Sequence, residues 1–243
     1  MNNYIMVGAG GTGTHLLQPL VLYLKTTHKN GDWQLHVIDG DVVETKNLER
    51  QVFRPETVTM NKAEAAILPF KDDEHMKAYP EYLSEESIPR FIQSGDTVII
   101  CVDNFTVRRR IEDHARTLDD VIIINGGNEL YDGSVQLWIR AKGEDLTPRL
   151  SYLHPEIAVG TVDRAEMTCA QAAALPGGEQ TIIANATSAL WMLTALWRAH
   201  TGKFALGKKA SPGPKTWTEL QFDAVNATVE HIDQRMSSHW RTT

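Results

Sequence analysis

The spacing of apolar positions changes several times along the chain, and each change predicts an element. Residues 4–7 (YIMV) are a short apolar run that ends in Gly8-Ala9-Gly10-Gly11-Thr12-Gly13. Residues 14–25 then read as a helix, with Leu16, Leu17, Leu20 and Leu24 at helical spacing. Residues 33–39 (WQLHVID) predict a second strand, and residues 62–70 a helix after a polar stretch. Residues 71–89 are polar and show neither period. Residues 97–102 (TVIICV) are a buried strand leading to a helix over 106–118. Residues 121–125 (VIIIN) and 134–139 are further strands. Residues 141–178, rich in Pro, Gly and charge, read as a long crossing loop, and 202–215 (with KKASPGPK) as a flexible stretch. Residues 216–223 and 226–232 predict a hairpin around Ala224-Val225. Strands alternating with helices imply an α/β fold: a Rossmann-like, doubly wound, mainly parallel sheet with a C-terminal antiparallel hairpin. With no clean linker, residues 1–243 are expected to form a single domain, a core over about 1–140 followed by crossing loop, core helix and hairpin over about 141–235.

Composition narrows the function. Hydrophobic residues are 42% and charged residues 23%, as in ordinary globular proteins, which excludes disordered and coiled-coil classes. The 31 acidic residues outnumber the 24 Lys and Arg, which argues against nucleic acid or anionic membrane as the main partner. Residues 181–197 (TIIANATSALWMLTALW) carry no charge, but the run is short for a membrane span and contains Asn185, Thr187, Ser188 and Thr194. It reads as a core or interface helix. Its Trp191, Leu193 and Trp197 exceed what one face needs, so a homodimer is expected. The N-terminus has no signal-peptide pattern. The two cysteines, Cys101 and Cys169, give no disulfide framework and no four-thiolate zinc site, so no zinc and a reducing, cytoplasmic setting are expected.

The chemistry begins at the glycines. A strand, Gly8-x-Gly10-x-x-Gly13 and a helix form the context of a phosphate-binding turn, in which the backbone approaches the anion at a helix N-terminus. Asp39 ends the second strand, where an acid can accept from a ribose hydroxyl. To this point a dinucleotide enzyme and an ATP enzyme read alike. The polar segment Asp39-Gly40-Asp41-Val42-Val43-Glu44-Thr45-Lys46-Asn47-Leu48-Glu49-Arg50-Gln51, with Lys62 after it, separates them by supplying donors suited to triphosphate oxygens. Asp103-Asn104 follows the strand over 97–102, with Arg108 one helical turn on. An acid at that carboxyl end could hold Mg²⁺ against phosphates.

DxDxVxxxNLxRQ after a GxGGxG loop, then a lysine and an apolar strand ending in Asp-Asn, resembles the ThiF/MoeB/HesA adenylating proteins, relatives of the ubiquitin-activating enzymes. The resemblance covers residues 4–110 and continues more weakly through Thr168-Cys169-Ala170 to Phe222-Asp223. Length and the Thr-Cys-Ala-Gln segment also resemble the small ThiF-like proteins of plasmid-borne PRTRC clusters. The resemblance implies that Gly8, Gly10, Gly11 and Gly13 line the phosphates and Asp39 holds the ribose. It implies Asn47, Arg50, Gln51 and Lys62 around the triphosphate; Asp41, in the same constellation, reads as nucleotide-binding or as a brace for the Asn47–Gln51 loop. Asp103 would bind Mg²⁺ or orient a carboxylate, with Arg108 in support. The implied reaction is attack of a carboxylate on the α-phosphate of ATP, usually from the C-terminal glycine of a ubiquitin-like or sulfur-carrier protein. Cys169 would be a candidate for a covalent link to that carrier; a packed, inert cysteine is the competing reading.

Three features depart from the pattern. The two CxxC zinc pairs of many relatives are missing. The chain starts almost at its first strand, leaving no equivalent of the N-terminal arginine that reaches a partner's ATP. No appended ubiquitin-like-fold or transfer-enzyme-recruiting domain is expected. A nucleotide-binding scaffold without catalysis, activation of a peptide or tRNA-linked carboxylate, and an NAD oxidoreductase therefore stay open.

Overall fold

A computed structural model of the chain describes residues 1–159, 181–202 and 218–232. Strand β1 (Asn2–Val7) runs into helix α1 (Gly11–Thr27), and β2 (Trp33–Ile38) follows. Then come α2 (Lys62–Ile67), β3 (Met76–Tyr79), α3 (Ile88–Phe91), β4 (Thr97–Ile100), α4 (Phe105–Ala115) and β5 (Val121–Asn128). The C-terminal part has β6 (Asp132–Ala141), β7 (Glu144–Asp145), α5 (Leu150–Leu153), α6 (Pro155–Val159), α7 (Ile182–His200), β8 (Glu219–Asp223) and β9 (Thr228–Ile232).

The strands form one sheet in the order β3-β2-β1-β4-β5-β6-β8-β9, with β7 paired to β6. The first five strands are parallel, with Val7 in register with Ile38 on one side and Ile100 on the other. The chain reverses its direction of travel across the sheet between β1 and β4, which opens a crevice at their carboxyl ends. From β6 onward every pairing is antiparallel, so the antiparallel part starts earlier than the expected hairpin, at a β5–β6 pair.

Alternation along β1 divides the core. Tyr4 and Met6 face one layer with Leu16, Leu20 and Leu24 of α1 and Met192 and Leu196 of α7. Ile5 and Val7 face the other, with Ile88 of α3, Ile111 of α4 and Ile157 of α6. Two covered faces make near-continuous apolar strands, as in β4, where all four residues are buried. Helix α7 covers β5 and β6 beside α1, so the uncharged 181–197 run is a core helix. Among the described residues no helix is long and apolar enough to cross a membrane. The polar stretch 71–89 contains β3, an edge strand with a single buried residue, Met76, which explains its weak apolar signal. The expected crossing loop is not bare loop at its start, which holds β7, α5 and α6; Ser151 in the first turn of α5 ties it to α4, donating its N–H to the Glu112 carboxylate at 2.8 Å.

Candidate nucleotide site

The turn after β1 sits at the carboxyl ends of two neighbours. Gly8 N–H donates to the Ile38 carbonyl at 2.9 Å, and Cys101 N–H donates to Val7 at 2.8 Å. Gly8 has φ +98°, and a Cβ there would lie 2.8 Å from the Val102 side chain and 3.0 Å from the Cys101 main chain. Only glycine fits both requirements. Gly10 is the N-cap of α1 and supplies no side-chain acceptor, and among the described residues a Cβ on it would meet nothing within 4 Å. The first turn of α1 has no acidic residue. The positive end of this 17-residue helix therefore has no side-chain cap and, at Gly10, open space in front of it among the described residues, an arrangement that can bind an anion.

Asp39 closes this turn. One carboxylate oxygen accepts from Ala9 N–H at 2.7 Å and the other from Asp41 N–H at 2.8 Å. Burial pushes its carboxyl above the usual range, and those two amides with nearby Lys62 pull it back only in part. Asp41 goes the other way. Burial would raise it, but hydrogen bonds from Lys62 (2.8 Å) and the Tyr82 hydroxyl hold it below the usual carboxylate range. Lys62 therefore points at a carboxylate of its own chain, with only 12% of its side chain exposed. Asn61 caps α2 and donates to the Asp39 and Asp41 carbonyls, which fixes Lys62 at the first position of that helix.

Residues Thr45–Glu49 form a 3-10 turn. Buried Asn47 accepts from Glu44 N–H at 2.8 Å, so its side chain holds the turn. Arg50 ends it, half-buried, and Gln51 follows with a side-chain oxygen that is buried and without a hydrogen-bond partner among the described residues. Val52 N–H donates to the Thr14 hydroxyl at 3.1 Å, which draws this loop onto the first turn of α1. The glycines, Asp39 and the Asn47–Gln51 stretch are thus brought together.

On the other side, Val102 packs on Gly8 and Asp103 is exposed just beyond it. Asn104 caps α4 by accepting from Val107 N–H at 2.9 Å. Arg108 is nearly buried. It donates to the Val102 carbonyl at 2.7 and 3.1 Å and to Gly126 at 3.2 Å, bracing the ends of β4 and β5. Burial lowers its pKa, and Asp103, Cys101 and Glu156 nearby oppose that. Its Nε and Nη2 donors are spent on the main chain, so Arg108 braces the crevice from behind. Burial pushes the Cys101 thiol up to about 12. Cys169 lies outside the described residues.

Residues with no motif signal also converge here. His154 sits between two carboxylates, Nε2 at 2.7 Å from Glu219 and Nδ1 at 2.7 Å from Glu156. Thr12, Asn128 and Asn185 form a buried polar chain behind the glycine turn. A depression of about 670 Å³ lies elsewhere, at the opposite end of the sheet beside Lys25, Trp33, Asp73 and His75. It is broad and lined by both charge signs, with Lys25 paired to Asp73 at 2.7 Å, and has no set of converging donors.

The donor set fits a nucleotide: an open turn at Gly10, an acid at the end of β2 and basic and amide side chains on the loop held to α1. A single exposed carboxylate at Asp103 suits Mg²⁺, which takes one or two carboxylates plus phosphate oxygens.

Known proteins share the fold and, over part of the chain, the sequence. Solved structures share the fold: PaaA superposes with a TM-score of 0.66 at 18% identity, covering 98% of this chain and 65% of that one. Escherichia coli MccB with ATP gives 0.66 at 16%, covering 97% and 64%. SUMO-activating enzyme subunit 2 of Dictyostelium discoideum is 32% identical over 163 residues, 65% of this chain and 23% of the relative. The sulfur carrier protein adenylyltransferase of Thermus thermophilus is 30% identical over 141 residues, 55% and 48% respectively. The chain thus spans a quarter to a half of the curated relatives it matches. The ThiF family pattern matches residues 2–236, nearly end to end, and the chain belongs to the ThiF family.

Proposed function

We propose that this chain binds ATP in the crevice between β1 and β4 and transfers its AMP to a carboxylate. The observation that carries the reading is the open, uncapped start of α1 at Gly10, with Asp39 and the Arg50 loop held against it. The names of relatives, a sulfur carrier protein adenylyltransferase and a SUMO-activating subunit, support the C-terminal glycine of a ubiquitin-like or sulfur-carrier protein as the substrate. Gly10 admits the phosphates, Gly8, Gly11 and Gly13 let the turn pack tightly enough to present it, and Asp39 takes the ribose. Arg50 and Gln51 face the triphosphate. Lys62 joins them by exchanging Asp41 for a phosphate, and Asn47 keeps the loop in shape. Asp103 would hold Mg²⁺, which supplies charge neutralisation on the phosphates. The carboxylate oxygen bonds to the α-phosphorus, the bond to the β-phosphate oxygen breaks, and pyrophosphate leaves. The protein contributes positioning and charge. Cys169 is proposed as the thiol that would receive the activated acyl group.

A homodimer is part of this reading. Ile183, Leu190 and Trp197 of α7 recur every seven residues on one side and are 61%, 63% and 39% exposed, an apolar stripe suited to a second copy.

The test is ATP–pyrophosphate exchange with a carrier protein ending in Gly-Gly. Exchange that needs the carrier and fails in Asp103→Ala supports the reading. ATP binding without exchange would leave a nucleotide-binding scaffold, and preferential stabilisation by NAD would reject it.

A further inference from the structure

Helix α7 turns an apolar face to α1 and the sheet through Ala184, Ala189, Met192, Ala195 and Leu196. Asn185 interrupts that face, and its side chain is fully buried. A buried amide is retained where its polar atoms are used. The Thr12 hydroxyl donates to Asn128 Oδ1 at 2.7 Å, and Asn128 Nδ2 donates to Asn185 Oδ1 at 3.0 Å. Asn185 Nδ2 then donates to the Arg50 carbonyl at 3.4 Å, a longer contact. That carbonyl can only accept, so turning either amide over would set oxygen against oxygen. The chain of bonds has one direction.

Packing places the same residue at the glycine turn. A Cβ on Gly11 would fall on the Asn185 amide, so the backbone of α1 lies directly against it. The loop after the 3-10 turn is held from two sides, by Thr14 of α1 at Val52 and by Asn185 of α7 at Arg50. Thr181, the cap of α7, donates to the Leu130 carbonyl at 2.8 Å and anchors the helix start to the β5–β6 connection.

We propose that Asn185 is the positioning residue of the phosphate site: it sets the main chain at Arg50 relative to the glycine turn and so presents the guanidinium to the phosphates. The assignment rests on the nucleotide reading above. A purely structural amide would affect the whole fold. A positioning amide acts on one loop and on ligand binding through Arg50.

Hydrogen exchange of the apo full-length chain reads the loop directly. Asn185→Ala should speed exchange of the amides of residues 45–53 by about tenfold, leaving Leu35 and Val37 of β2 unchanged. ATP affinity should fall about tenfold, and adding Asn185→Ala to Arg50→Ala should weaken binding no further, because the two act as one unit. Asn128→Ala, which breaks the chain one link earlier, should reproduce both effects in milder form and covers the case in which Asn185→Ala fails to fold. Unchanged exchange over 45–53, or losses that multiply in the double variant, would overturn the assignment. A wild-type chain that does not bind ATP would overturn the nucleotide reading and this role together. The exchange arm tells that failure from a failure of the bond chain.

Discussion

The contrast between Gly10→Ala and Gly13→Ala separates a ligand cradle from a packing turn. A Cβ on Gly13 would fall on the carbonyl oxygen of Gly8, and neither backbone can move without opening the turn. Overpacking of this kind costs about 1–3 kcal/mol, only partly offset by the roughly 1 kcal/mol better helix propensity of alanine. Gly10 has φ −85° with ψ −144°, at the edge of the extended basin, and open space in front of it among the described residues, so its alanine variant should cost less than Gly13→Ala, about 1 kcal/mol in apo stability. The added methyl occupies the space assigned to the phosphates. ATP at about a hundred times its Kd stabilises a native state by about 2.7 kcal/mol. For a chain of this size that is roughly 5–10 °C in Tm. A hundredfold loss of affinity in Gly10→Ala would reduce the same ATP shift to about 0.4 kcal/mol, or 1–2 °C. Thermal unfolding of both variants with and without ATP and Mg²⁺ measures this. Gly13→Ala should lose apo stability, while Gly10→Ala should keep most of it and lose the ATP shift. A full ATP shift in Gly10→Ala would refute the cradle.

Other outcomes follow from named contacts. His154 is raised above 6.5 chiefly by its hydrogen bond to Glu219, then by Glu156 against the opposing effect of burial. Its stabilisation is therefore complete below pH 6.5 and is lost as pH rises through the folded value; denaturant unfolding of His154→Gln should lack that alkaline decline, and an unchanged pH profile would contradict it. Leu190→Glu, at the centre of the exposed stripe of α7, should convert a dimer to a monomer in light scattering with little change in apo Tm, whereas a monomeric parent would remove the dimer. Because the Cys101 thiol is pushed to about 12 by burial, native labelling by a thiol reagent should report on Cys169 alone, and Cys169→Ser should abolish it; labelling that persists in that variant would place an accessible thiol at Cys101.

The strand, glycine turn and leucine-spaced helix over residues 4–25 were legible because the period changes where the chemistry does. So was Asp39, which the structure sets against Ala9 at the end of β2. Strand direction was not legible. β6 has the same apolar character as a parallel strand, and only its pairing with β5 shows that the sheet turns antiparallel there. β3 was hidden because an edge strand with one buried residue has almost no pattern. The charges of Asp41 and Lys62 were visible, but their ion pair depends on Asn61 fixing the start of α2. Asn185 read as one polar residue in an uncharged helix. Its meaning depends on two partners 57 and 135 positions away in the chain, Asn128 and Arg50, and on Thr12 behind Asn128, which only the tertiary fold assembles.

The most direct test of the adenylation claim is intact-mass analysis of a carrier protein ending in Gly-Gly after incubation with this chain, ATP and Mg²⁺, with pyrophosphatase present to draw the reaction forward. Adenylation predicts a carrier heavier by one AMP less water, sensitive to hydroxylamine and missing when Arg50→Ala replaces the parent. A carrier of unchanged mass, under conditions in which ATP measurably stabilises the chain, would contradict the proposed reaction.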